Sequence, residues 1–154
     1  MELFVSTFVN KIDKKGRISF PSIFRNALPK DYKNEIILYK SLRANSIEGC
    51  SVKRIDEIAK RINNLDFFSE DQEDFSTSIF SEIIPTNLDS GGRFVIPDTL
   101  KKFSNITNEA TFIGQGFYFQ ILEPKLAKQK QKNSRSRLVQ RKKSLSAILN
   151  EKDQ

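Results

Sequence analysis

The stretch Asp13-Lys-Lys-Gly16-Arg17-Ile-Ser-Phe-Pro21 returns 76 positions later as Asp89-Ser-Gly-Gly92-Arg93-Phe-Val-Ile-Pro97, with Asp, Gly, Arg and Pro in register. Two copies at one offset make the chain an internal duplication. The same register pairs Phe4 with Phe80, Ile12 with Leu88, Ile18 with Phe94, Phe20 with Ile96 and Phe24 with Leu100, and it predicts that Ile36-Ile37 match Phe112-Ile113. Whole supersecondary units are therefore expected to repeat.

Each copy reads as strand, turn, strand, short helix and further strand. An Asp whose carboxylate can accept amides two residues on, followed by a Gly that tolerates positive φ, specifies a tight turn. Ile18-Ser-Phe20 and Phe94-Val-Ile96 favour strand. Pro21-Ser22 and Pro97-Asp98 suit helix starts, with proline pre-set for the first turn and Ser or Asp able to serve the free amides. Ile23, Phe24 and Leu28 in one copy, and Leu100 and Phe103 in the other, are expected to face inward at helical spacing. Further strands are expected at Glu35 to Tyr39 and Ala110 to Ile113. Asp13 and Asp89 are turn residues, and Gly16, Pro21, Gly92 and Pro97 shape backbone and carry no chemistry of their own.

The doubled D-x-x-G-R-x-x-x-P, with Ala110-Thr-Phe-Ile-Gly-Gln115 and Phe119-Gln-Ile-Leu-Glu-Pro124 behind the second copy, resembles the MraZ family over roughly residues 1 to 124. The resemblance implies an α+β protein: a swapped-hairpin (AbrB-like) β-barrel made from two internal repeats, with a helical insert between them. It implies a bacterial regulator that binds direct repeats in double-stranded DNA upstream of its own division and cell-wall operon, as a ring-shaped homo-oligomer. Carried over, the DNA-contacting turn falls on Lys14, Lys15 and Arg17, and on Arg93 in the second copy. The expected division is a first repeat at 1–50, a helical connector at 51–79, a second repeat at 80–124 and a basic tail at 125–154.

The net charge of +7 is misleading until it is located. Residues 125–154 hold ten Lys or Arg and two acidic residues, so the tail carries +8 and the rest of the chain −1. Locally, Lys11, Lys14, Lys15 and Arg17 surround Asp13 for a net +3, whereas the second turn, with Asp89 and Arg93, is neutral. The first turn should supply more of any phosphate attraction. Lys14 and Lys15, which have no counterpart in the second copy, fit phosphate. Arg17 and Arg93 admit two readings: each can fold back on its own Asp and brace the turn, or present its fork to a guanine edge in the major groove.

Between the copies, Val52, Ile55, Ile58, Ala59, Ile62 and Leu65 follow helical spacing, and Glu70 to Ile84 reads as a second helix with acid at its start. The pair is a connector or a subunit contact. The tail is poor in apolar residues and is expected to be disordered or marginally helical, acting as a solubilising segment or as a nonspecific phosphate-binding arm.

Other functions find little support. The chain has no histidine and one cysteine, Cys50, which reads as an apolar filler and suits a reducing compartment. No cofactor and no enzymatic activity are expected. Asp89-Ser-Gly is similar to the aspartic-protease motif, but the first copy puts lysine beside its Asp and spoils an intrachain dyad. That leaves only two Asp89 residues paired across a homodimer, and the turn and flanks match the regulator better. An antitoxin with one AbrB-like hairpin, and a nucleoid protein bound through its tail alone, are the remaining alternatives. With no apolar run of about 18 residues and no signal-peptide start, the expected location is the cytoplasm, at the nucleoid.

Overall fold

The structure, a computed structural model, describes residues 2–142 and 144–151. The first half runs β1 (Thr7–Lys11), β2 (Arg17–Ser19), α1 (Ser22–Ala27), a 3-10 turn (Lys30–Tyr32), β3 (Glu35–Lys40) and β4 (Ile47–Cys50). The connector holds α2 (Val52–Asn63) and α3 (Glu70–Phe75), the latter continued by a π-helical turn at Ser76–Phe80. The second half runs β5 (Ile84–Asn87), β6 (Arg93–Val95), α4 (Asp98–Ser104), β7 (Glu109–Gly114) and β8 (Phe119–Leu122). It is followed by α5 (Pro124–Gln140) and α6 (Leu145–Glu151). The order strand, strand, helix, strand, strand, helix thus occurs twice.

The two halves exchange strands. β1 of the first half pairs with β7 of the second, Phe8 opposite Phe112, and β5 of the second half pairs with β3 of the first, Ile36 opposite Thr86. β2 and β6 pair with each other as a separate two-stranded ribbon. The remaining ladder is antiparallel throughout, in the order β1-β7-β8-β4-β3-β5, and its ends do not meet. The architecture is therefore α+β with an open antiparallel sheet and a ribbon. No closed barrel is formed by the strand pairing among the described residues.

The pairing also corrects the repeat register. Lys11 and Asn87 are mates 76 apart, yet their partners Glu109 and Glu35 are 74 apart. Ile36-Ile37 consequently match Ala110-Thr111 and not Phe112-Ile113. The cause is loop length: residues 28–34 join α1 to β3, whereas residues 105–108 join α4 to β7. The shorter connection turns on Asn105, which takes the left-handed conformation (φ 57°) that Asn tolerates at a helix end.

Helix starts differ in one respect from the sequence expectation. Pro21 and Pro97 precede α1 and α4 with φ near −54°, but neither helix has a side-chain cap, so Ser22 and Asp98 do not serve the free amides. Ser51 and Ser69 do cap α2 and α3, accepting from the amides of Arg54 and Gln72 at 3.1 and 3.2 Å. The second connector helix stops at Phe80, and Ile84 is already strand.

Buried phenylalanines from both halves meet between these elements, with Phe20, Phe24, Phe112 and Phe119 among the largest fully buried side chains. Ile23, expected inside, is exposed, and Phe103 is half-buried with the Lys40 ammonium over its ring at 5.3 Å. Close approach is built with glycine where a ring or chain must pass. A Cβ on Gly49 would lie 2.3 Å from the Phe119 ring, and one on Gly114 would lie 2.5 Å from the backbone of Phe4. Phe4 exchanges backbone hydrogen bonds with Gly116 at 2.7 and 3.0 Å, so that clash meets main chain that is already held. Gly114→Ala is expected to destabilise the protein by about 1–3 kcal/mol, the range for overpacking. Urea unfolding at matched protein concentration measures it, and an unchanged midpoint would show that the main chain at Phe4 and Val5 shifts freely.

The connector helix α2 is amphipathic, but none of its residues is fully buried. Phe67 and Phe68, just beyond it, are largely exposed. No helix of the described residues is long and apolar enough to cross a membrane. The chain divides into two compact units, one ending at Glu123 and the other beginning at Pro124. The second is helical over most of its described length, with Leu138, Val139, Leu145, Ile148 and Leu149 exposed. Of the expected tail, residues 143 and 152–154 lie outside the described residues.

Candidate nucleic-acid interface

The two turns have the same construction. In the first, the Gly16 amide donates to the Asp13 carbonyl at 3.0 Å and the Asp13 amide to the Arg17 carbonyl at 2.8 Å; in the second, Gly92, Asp89 and Arg93 repeat these bonds at 2.9 and 2.8 Å. Gly16 and Gly92 have φ of 81° and 76°, a region that L side chains rarely adopt. This is the three-residue hairpin loop with a left-handed residue before the returning strand.

Each Asp organises its turn from inside. Asp13 Oδ1 accepts from the amides of Lys15 and Arg17, both at 2.9 Å, and its Oδ2 accepts from Arg17 Nε at 2.9 Å. Asp89 Oδ1 accepts from the amides of Gly91 and Arg93 at 2.9 Å. Arg93 Nε lies 3.3 Å from Asp89 Oδ2, an ion pair without hydrogen-bond alignment. The backbone amides of Arg17 and Arg93, ahead of the weaker opposing effect of desolvation, hold both carboxyls below the ordinary carboxylate value.

That depression fixes a sign. A carboxylate whose folded pKa lies below its unfolded value of about 3.9 stabilises the turn fully above that value and loses the effect as pH falls through the folded pKa. Both turns are therefore expected to stay closed at neutral pH and to open only below the usual carboxylate range. Carboxyl-carbon NMR should give midpoints for Asp13 and Asp89 below about 3.9; midpoints at or above the unfolded value would contradict the bracing geometry.

β2 and β6 position the arginines. Arg17 stands opposite Val95 and Ser19 opposite Arg93, so these four side chains share one face of the ribbon, while Ile18 and Phe94 point into the core from the other. Because the strands are antiparallel, the two turns leave the ribbon at opposite ends. Arg17 and Arg93 are part-exposed, with side-chain exposures of 30% and 39%. Among the described residues, the Asp carboxylate engages Nε alone, and the terminal guanidinium nitrogens have no hydrogen-bond partner. Bracing and an outward-facing fork coexist in one side chain.

Lys14 and Lys15 are exposed at the first tip, next to Arg17. Lys11 sits apart from them, on the sheet in β1 opposite Glu109. Pro21 and Pro97 lie behind the ribbon, at the start of the helices. Asp13 and Asp89 each serve their own turn at opposite ends of the ribbon, so they form no carboxylate dyad within the chain. Among the described residues, no group of three His, Cys, Asp or Glu side chains is placed to hold a metal ion.

Two features were not visible in the sequence. The Arg25 guanidinium, from α1, packs over Gly92 so closely that a Cβ there would fall 2.2 Å from Nη1. Arg43 ties the β3–β4 loop to the far half, donating to the Tyr118 hydroxyl at 2.8 Å and to Glu48 at 3.3 Å. Both are long-range contacts of arginines whose local sequence looks like ordinary solvated surface.

No family model matches the chain. It is similar to the proteins named transcriptional regulator MraZ from Rickettsia akari and Rickettsia rickettsii, each 39% identical over 124 residues, and from Rickettsia typhi, 38% identical over 124 residues. These alignments cover 80% of this chain and 83% of each relative.

Proposed function

Because this chain belongs to the MraZ family, we propose that it is a sequence-specific DNA-binding transcriptional regulator, without enzymatic activity, that reads promoter DNA through its two ribbon turns. The observation that carries this reading is the doubled turn, in which an Asp carboxylate faces the Nε of an arginine, hydrogen-bonded in the first copy and ion-paired in the second, and the terminal nitrogens are left unpaired. A pre-oriented fork of that kind matches two acceptors on a guanine edge. Lys14 and Lys15 attract phosphate beside the first fork, and Lys11 adds charge from further along the hairpin.

The reciprocal strand exchange supports the swapped-hairpin arrangement of the AbrB type, with repeats at 1–50 and 80–124 joined by the connector 51–79. A single chain offers two turns, which bind weakly. A ring of copies on direct repeats engages several at once, and affinity then rises through effective concentration without new contacts. The target is DNA upstream of the protein's own division and cell-wall genes, and the site of action is the nucleoid.

The +8 tail favours a second reading, in which DNA is held nonspecifically through residues 125–154. One experiment separates the two: fluorescence anisotropy of the full chain on the duplex upstream of its own coding region and on a scrambled duplex, across a salt series. Preference for the native duplex is expected. Replacing the tail's Lys and Arg by Gln should lower the salt slope by about 0.9 for each phosphate that the tail neutralises, and leave the preference intact. Equal binding to both duplexes, abolished by tail neutralisation, would establish the second reading instead.

A further inference from the structure

A cleft of about 470 Å³ opens between α1 and the 3-10 turn that follows it. Its polar lining is Ser22, Arg25, Asn26, Lys30, Lys33 and Asn34, which brings three cations together and no carboxylate. Asp31 lies in the same 3-10 turn but does not line the cleft. Arg25 is the unusual member. Its Nε is buried and unpartnered, and its guanidinium makes no hydrogen bond or ion pair among the described residues. Packing against Gly92 fixes its position, so the unpaired charge is held in place and not left to swing in water.

The longer connection in the first copy supplies two of the cleft's three cations. Residues 28–34 carry Lys30 and Lys33, whereas the four residues 105–108 in the second copy carry no cation. The second-copy cleft beside α4, about 390 Å³, has two cations, Lys101 and Lys102, in its lining. An arginine fork, two ammonium groups, a hydroxyl and two amides are the donor set for a multiply charged oxyanion, with Arg supplying paired donors and Lys point charges. The volume falls within the range of small-molecule sites.

We propose that this cleft binds a small molecule bearing a phosphate or diphosphate group, at a site distinct from the Arg17 and Arg93 forks. The ligand's charge pairs with Arg25, Lys30 and Lys33, and Ser22, Asn26 and Asn34 hydrogen-bond its oxygens. Through Arg25 the bound anion touches the residue that covers the second turn.

Inorganic pyrophosphate is the probe, titrated calorimetrically into the full chain at constant ionic strength. Lys30 and Lys33 lie on the surface loop, away from the core, so Lys30→Ala/Lys33→Ala should fold normally and weaken pyrophosphate binding by roughly tenfold or more, the value of a charge-assisted bond or two. Arg25→Ala should do the same, with the melting temperature recorded alongside because Arg25 also packs on Gly92. No binding to the unaltered chain, or binding that the lysine pair does not affect, overturns the site and assigns any heat to the tail. DNA supplies the same chemistry through its backbone, so anisotropy on the upstream duplex is measured with the same variant. Unchanged DNA affinity and salt slope support the small-molecule ligand; a loss of DNA affinity with a shallower slope overturns it and assigns the cleft to backbone phosphate.

Discussion

Phe24→Ala is expected to lower the unfolding free energy by about 3–5 kcal/mol, the range for deleting a buried phenylalanine and leaving a cavity. Phe24 is fully buried, and its ring meets Phe4, Phe8 and Phe20 from its own half at 5.4, 5.7 and 5.7 Å, and Phe112 and Phe119 from the other half at 6.3 and 5.7 Å. Four of the five contacts are edge-on, the arrangement that brings a positive ring edge to a negative face. Most of these neighbours sit on separate strands held by the exchanged ladders, so they cannot close over the gap without breaking pairing. That argues for the upper part of the range. Since whole domains are stable by only about 5–15 kcal/mol, the variant should be near its threshold at room temperature. Ile23→Ala, one position away and 42% exposed, should cost no more than about 0.5 kcal/mol. Urea unfolding followed by circular dichroism, at one protein concentration because any assembly adds to stability, gives both values. Equal small losses for the two would mean that α1 does not hold the halves together.

The same ring shows why some of the fold was legible and some was not. Gly16 and Gly92 could be read as left-handed from their place after Asp-x-x, because that turn chemistry is local and its bonds close within five residues. Phe24 could be read as buried from helical spacing, and its repeat mate Leu100 likewise. Ile23 satisfied the same spacing rule less well and is exposed, since a six-residue helix has room for only one inward stripe. Strand partners are a different matter. A strand's period-two pattern records that one face is buried but does not name its neighbour. The pairing of β1 with β7 and β3 with β5 depends on partners about a hundred and about fifty residues apart. Here family resemblance carried the expectation of exchange, and the residues alone did not. The failed match of Ile36 with Phe112 has a simple origin as well: a constant offset assumes equal loops, and the α1–β3 connection is longer than its counterpart. At the interface, Asp13, Arg17, Asp89 and Arg93 were visible as a motif, whereas Arg25 was not. Nothing near Arg25 in sequence signals that its guanidinium lies on Gly92.

Arg17→Ala is expected to weaken binding to the native duplex by about 1–3 kcal/mol, roughly 5- to 150-fold, the value of one bidentate fork on a guanine. Binding to scrambled duplex should fall far less. Lys14→Ala should show the opposite signature, a similar weakening on both duplexes and a salt slope shallower by about 0.9. Arg93→Ala should resemble Arg17→Ala in kind, because its turn has the same amide bonds and the same unpaired terminal nitrogens. The competing account is that Arg17 merely braces the turn through Asp13, and the geometry offers a clean separation. Asp13 Oδ1 takes the two backbone amides, and Oδ2 takes Arg17 Nε. An asparagine retains one carbonyl oxygen for the amides but presents an NH2 where Oδ2 was, so Asp13→Asn removes the arginine contact and spares the turn. If Arg17 acts as a brace, Asp13→Asn and Arg17→Ala must lose specificity to the same degree. If the fork reads a base, Asp13→Asn keeps the guanidinium present but less well oriented, and its penalty on native DNA should be the smaller of the two. Anisotropy on both duplexes at one salt concentration decides between them, since affinities at different salt are not comparable.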